Sequence, residues 1–267
     1  MTDHGRARSD SWYLDPVVAR QKADAFLGLV ERWRDPAAGG LTLKTDLFEE
    51  ANGEDALAPR LERRQTLLGL DLDLRTARRA RLRYDDARLK IVVADLRSLG
   101  FRDGTLDLVV SPSTLDHFAT RREIETALLE IRRVLRPGGT AIVILDNPLN
   151  PLYHALRLTA PMLAPFTLGR TLGRRRLCET LERMGFRVLG HDYAIHNPRG
   201  LLTLVNLLLR KALGRRAEGP VSALVRLFAL LDRLPTRALT ACFVAVGARR
   251  EVEVEAIEAD LAPVSST

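Results

Sequence analysis

Three aspartates close three apolar runs in this 267-residue chain: Asp46 after "LTLKT", Asp71 after "TLLGL" and Asp95 after "KIVVA". They stand 25 and 24 residues apart, about one strand–helix unit each. Ligands of open parallel sheets bind outside the carboxyl ends of the strands, so carboxylates repeated there form a ladder along the binding edge. A single aspartate at such a place commonly caps the next helix. Three in register favour the other reading, acceptors for a ligand's hydroxyl and amino groups.

Two later stretches carry further chemistry. "SPSTLDHF" offers Ser111, Asp116 and His117, and an imidazole titrating near neutrality suits a general base for a hydroxyl acceptor. "LDNPLNPLY" holds two Asn-Pro pairs that resist helix and build a rigid lip. Asp146, Asn147, Asn150 and Tyr153 are candidates to contact an acceptor there, with plain turn chemistry as the standing alternative.

The elements that must position these groups follow from periodicity. Asp15-Pro16 starts a helix whose apolar face is Val18, Ala25, Phe26, Leu29, Val30 and Trp33, ending at the linker "RDPAAGG". Apolar runs then alternate with helical patterns through "KIVVAD", "TLDLVVS" and "TAIVILD", which predicts an α/β fold with a doubly wound sheet. Thr120 and Glu123 form a capping box before Ile124, Leu128, Ile131 and Leu135, and "RPGG" stops that helix. Pro59 falls where the first sheet helix belongs and must kink it or delay its start. "GFRVLGHDYAI" and "LTACFVAVGA" read as two closing strands.

On these residues the chain resembles the class I S-adenosylmethionine-dependent methyltransferases, in particular the methyltransferase-domain group that includes ubiquinone-pathway-like enzymes. The strongest match is "VVADLRSLGFRDGTLDLVVSPSTLDHF" followed by "LLEIRRVLRPGGTAIVILD", and the likeness covers roughly residues 41–146. It implies a Rossmann-like sheet of about seven strands and S-adenosyl-L-methionine as cofactor. It further implies cofactor contacts at Asp46, Asp71, Leu72, Asp95, Leu96 and Ser111.

The departure lies at "LKTDLFEEANG": aligned on Asp46, it replaces the family's glycine-rich loop with one extra residue, and only Gly53 stands for a loop glycine. Two glutamates would repel a pyrophosphate, whereas a sulfonium and an ammonium tolerate them. Lys44 and Thr45 are candidates to hold the cofactor's carboxylate, with two solvated strand residues as the standing alternative.

Composition bounds the rest. Residues 170–250 hold 16 Lys plus Arg against five Asp plus Glu, while the whole chain carries +7. A basic surface of that kind can attract phosphate, anionic lipid or nucleic acid, with arginines filling solvated helix faces as the standing alternative, and the scarcity of aromatics disfavours nucleic acid. Cys178 and Cys242 lack metal or redox spacing, no metal site is expected, and the start lacks a secretory signal, so the expectation is cytoplasmic.

The expected organisation is a helix and linker over 1–40, a methyltransferase domain over 41–250 and an acidic tail over 251–267. Helical insertions fall at about 148–184 and 199–239, the second rich in leucine and arginine. It could cover the acceptor, pair with another copy, or touch the inner membrane surface peripherally. The activity expected is methyl transfer to a small-molecule or lipid-like acceptor. The alternatives are a non-catalytic or membrane-associated binding protein of the same fold, and a Rossmann oxidoreductase, disfavoured by the missing Gly-x-Gly-x-x-Gly.

Overall fold

The structure is a computed structural model that describes residues 15–36, 39–53, 56–61, 66–84, 89–163, 169–198 and 201–252. The acidic tail, from residue 253 onward, lies outside the described residues.

Seven strands form one sheet in the order β3-β2-β1-β4-β5-β7-β6. They are β1 (Leu41–Thr45), β2 (Thr66–Asp71), β3 (Leu89–Val93), β4 (Leu106–Pro112), β5 (Leu135–Asp146), β6 (Phe186–Ala194) and β7 (Phe243–Arg250). The first five pair in parallel, and β7 enters antiparallel between β5 and β6. Since β6 is antiparallel to β7, it runs with β1–β5, and its carboxyl end reaches the same edge as theirs.

Side chains alternate across the pleat, so adjacent residues serve opposite layers. Val109 and Val143 face one layer, packed with Ile124, Leu128 and Ile131 of helix α5 (Arg121–Val134) and Leu177 and Leu181 of α7 (Arg174–Arg183). Val110 and Ile144 face the other, under Phe26, Leu29, Val30 and Trp33 of α1 (Pro16–Trp33). The leading helix is thus part of the core. Trp33 lies across Gly247, where a Cβ would come within 2.4 Å of the indole, so only glycine permits this approach. Phe26 meets Phe243 edge to face at 5.1 Å.

Asp15 caps α1, accepting from the Val17 amide at 2.9 Å, and Thr120 with Glu123 closes the capping box of α5. "RPGG" stops α5, which ends at Val134. It opens β5 itself, Gly138 takes φ 77°, and the pairing with β4 jumps from Leu106↔Leu135 to Leu108↔Thr140. Pro59 delays rather than kinks. The segment after β1 splits into α2 (Phe48–Asn52) and α3 (Ala58–Leu61), with Pro59 in the first turn of the second, where its missing N–H costs nothing.

Helix α4 (Leu74–Arg83) links β2 to β3, and α6 (Pro151–Leu163) follows β5. The second insertion forms α8 (Leu201–Leu213), α9 (Glu218–Ala229) and the short α10 (Arg237–Thr240). No helix among the described residues is long and apolar enough to cross a membrane.

Candidate functional site

The carboxyl ends of β1, β2 and β3 present the aspartate ladder. Asp46 leaves β1 with φ 61°, a left-handed backbone that asparagine and aspartate tolerate better than other side-chain-bearing residues. Its Oδ1 accepts the Phe48 amide at 2.8 Å. Asp71 Oδ2 accepts the next amide back, Leu47 N–H, at 2.9 Å, and its Oδ1 accepts Asp73 N–H at 2.9 Å. Asp71 thereby joins the end of β2 to the turn after β1. Asp73, by contrast, is a helix cap: it accepts from both the amide and the hydroxyl of Thr76.

Burial pushes the Asp46 carboxyl up to about 6, with Lys44 and the Phe48 amide opposing the rise and Glu49 and Asp71 adding to it. Asp95 moves the other way. Arg97 grips it through Nε at 3.0 Å and Nη2 at 2.6 Å, and those hydrogen bonds hold its carboxyl below the usual range. Arg97 also reaches Glu123 of the α5 cap at 2.6 Å and lies over the Phe118 ring at 5.2 Å. Sequence reasoning missed this clamp, whose only local signal is the Asp-x-Arg spacing.

The glutamate loop resolves differently from a free acidic loop. Glu50 turns inward: Oε2 takes the Lys44 ammonium at 2.9 Å and Oε1 the Ala58 amide at 2.9 Å. Glu49 pairs with Lys22 of α1 at 2.6 Å. Each glutamate therefore has its own lysine, as Asp95 has Arg97, which leaves Asp46 and Asp71 as the acidic groups of the edge. Lys44, expected to hold a cofactor carboxylate, instead anchors the loop. Burial alone would lower its pKa, yet Glu50 and Asp46 outweigh that and hold it above the ordinary value.

Other expected cofactor contacts are also interior. Thr45 and Ser111 are fully buried, with the Thr45 hydroxyl donating to Ser111 Oγ at 3.1 Å and lying against Thr114, which ties β1 to β4. Leu96 packs in the main core. Gly53 ends α2, where a Cβ would stand 2.9 Å from the Glu49 carbonyl oxygen. Leu72 stays open, 65% exposed beside Asp71.

At the other half of the edge, Asp116 and His117 face different surroundings although adjacent. Asp116 is buried and its Oδ2 accepts the Asp146 amide at 2.8 Å, tying the β4 loop to the end of β5, while His117 is exposed. The chain returns over this loop, with Gly169 N–H donating to the Asp116 carbonyl at 2.8 Å and Arg170 N–H to that of Phe118 at 2.7 Å.

Asn147 and Asn150 take the turn reading. Asn147 Nδ2 donates to the carbonyls of Ala238 and Ala241, Asn150 Nδ2 to those of Thr240 and Ala241, and their side-chain oxygens accept Leu149 and Leu152 amides. They staple the lip to α10 and are not available to an acceptor. Asp146 and Tyr153 are buried beside them. His196, missed from the sequence, lies buried after β6 between the Thr240 hydroxyl (2.8 Å) and Asp232 (3.3 Å), and its burial lowers its pKa.

Residues 51–143 match the family model described as a methyltransferase domain. The chain carries a region similar to the methyltransferase domain. Over 122 residues it is 33% identical to an uncharacterized methyltransferase of Mycobacterium tuberculosis, an alignment covering 44% of this chain and 60% of the relative. The chain thus spans 60% of the length of the mycobacterial relatives it matches. An S-adenosylmethionine-dependent methyltransferase from Mesorhizobium loti superposes with TM-score 0.55 at 18% identity, over 81% of this chain and 94% of that one. Geranyl diphosphate C-methyltransferase from Streptomyces coelicolor, in complex with Mg2+, geranyl diphosphate and S-adenosyl-L-homocysteine, gives 0.54 at 14% identity, over 86% and 76%. These structures share the fold.

The donor set at this edge of the sheet fits S-adenosylmethionine. A cation beside Asp46 would offset the burial that now disfavours its charged form. Asp71 has acceptor capacity left after its two amide bonds, because an ionised carboxylate has roughly four lone-pair sites. Leu72 adds an exposed apolar surface next to it.

Proposed function

We propose that this protein is a methyltransferase that uses S-adenosylmethionine and acts in the cytoplasm on a small-molecule or lipid-like acceptor. The observation that carries the reading is the join between Asp46 and Asp71, made through consecutive amides of one turn at the carboxyl ends of β1 and β2. Bound there, the cofactor supplies an activated methyl group.

The chain's own residues bind and orient. Asp71 accepts from ribose hydroxyls, Leu72 covers the adenine, Asp95 meets its edge and Asp46 faces the cationic end. Lys44, Glu50, Thr45 and Ser111 fix the strand ends from inside, so that much of the rate comes from positioning. For a hydroxyl acceptor, exposed His117 is the base, and Asp116 positions its loop by holding the end of β5. Tyr153 and Asp146 stand behind the acceptor side, and the helices of 199–239 cover it.

Incubation with methyl-labelled cofactor and a cell lysate, split afterwards into lipid, small-molecule, protein and nucleic-acid pools, tests this. Label in the lipid or small-molecule pool is the expected result. Label confined to nucleic acid would overturn the acceptor class. Cofactor binding without transfer to any pool would favour a binding protein of the same fold.

A further inference from the structure

The second insertion carries more apolar surface than the fold buries. Its inward side is satisfied: Leu202, Ala217, Val221 and Val225 are buried and pack with Val17 and Val18 of α1. Pairing with the first helix therefore occurs, yet it leaves the outer leucines uncovered. On α8, Leu204, Leu207 and Leu208 are each half exposed. They recur at i, i+3 and i+4, with exposed Lys211 at i+7 on the same face. From α9 onward Leu227, Leu230 and Leu234, at i, i+3 and i+7, are likewise uncovered, 60%, 50% and 45% exposed, beside exposed Arg226 and Arg233.

We propose that this insertion docks on an anionic lipid bilayer surface, with the leucines entering the headgroup boundary and the basic side chains on the phosphates. Charge decides the occupant. Residues 199–239 hold eight Lys plus Arg against Glu218 and Asp232, a net +6 that falls to +4 once the pairing of Arg210 with Asp15 and of Arg237 with Asp192 is counted. A second copy seated on this face would set like charges against each other, whereas an anionic leaflet supplies the complement. Long basic side chains can lay their stems along apolar surface and keep their charge in water, so leucine and arginine share such a face without conflict. The helices are too short to span, which leaves attachment in the plane of the interface.

The test is co-sedimentation of the full chain with phosphatidylcholine vesicles and with vesicles containing about one third phosphatidylglycerol, at low and high salt. The expected result is pelleting with the anionic vesicles alone. It should fall at least tenfold as salt rises from about 0.05 to 0.5 M, where the screening length shrinks severalfold. Leu207→Glu/Leu208→Glu, at exposed positions that leave the core intact, should lose at least tenfold in partitioning with an unchanged thermal midpoint. Lys211→Glu should lose severalfold. Recovery of all protein in the supernatant at low salt overturns the proposal, as does parent-like pelleting of the double variant. A concentration-dependent dimer in light scattering, abolished by the same double variant, would assign the face to a second copy instead.

Discussion

Lys44 Nζ lies 2.9 Å from Glu50 Oε2, and both side chains are shut away from solvent. This pair occupies the place where the family's loop uses glycines, and Glu50 also holds the first amide of α3. The loop is shaped by an internal ion pair rather than by backbone freedom.

Removing one partner should therefore cost far more than removing both. Glu50→Ala leaves a buried ammonium and should lose about 3–5 kcal/mol in denaturant unfolding. Lys44→Met/Glu50→Leu should recover much of that loss. Glu50→Ala unfolding at the parent's midpoint would show that the pair does not support the loop.

Asp46 makes the site sensitive to pH. Its folded pKa, about 6, exceeds the ordinary 3.8, so the folded state holds the proton more tightly than the unfolded one. The stability this group contributes is then fully present below about 3.8 and lost as pH rises through about 6. A cationic ligand prefers the ionised form, so affinity for S-adenosylmethionine should rise between pH 5 and 7.5. Asp46→Asn should flatten both trends. An unchanged pH dependence in that variant would assign the titration elsewhere.

Two glycines should respond in opposite directions. Gly247→Ala drives a Cβ into the Trp33 indole and should destabilise by about 1–3 kcal/mol. Gly28→Ala, on the exposed face of α1 with nothing within 4 Å of the new carbon, should stabilise by about 0.5–1 kcal/mol. Thermal unfolding of the two variants side by side checks the sign of each.

For a hydroxyl acceptor, His117→Ala should lower kcat by about 10²- to 10⁴-fold, as loss of a general base does. Its exposure predicts no change in the unfolding midpoint or in cofactor affinity. A rate within about threefold of the parent would leave His117 as a loop residue, since even modest general-base help exceeds that.

Much of this was legible in the chain because it rests on local pattern. The apolar runs marked the strands, Thr120 and Glu123 marked the start of α5, and the spacing of Asp46, Asp71 and Asp95 marked the edge. What stayed hidden depends on contacts distant in sequence. Nothing near Glu49 announces Lys22, 27 residues away, and nothing near Asn147 announces the Ala241 carbonyl, 94 residues on. Buried polar side chains such as Asn147, Thr45 and Ser111 look like ligands in a sequence because the same donors and acceptors serve both purposes.

The central claim is that the strand-end carboxylates hold S-adenosylmethionine, and titration calorimetry of the purified chain tests it most directly. The account predicts saturable binding of S-adenosylmethionine in preference to NAD, weakened by about 1–3 kcal/mol in a folded Asp71→Ala variant and by less in Asp95→Ala. Binding of NAD in its place, no heat from either, or an Asp71→Ala affinity equal to the parent's would contradict it.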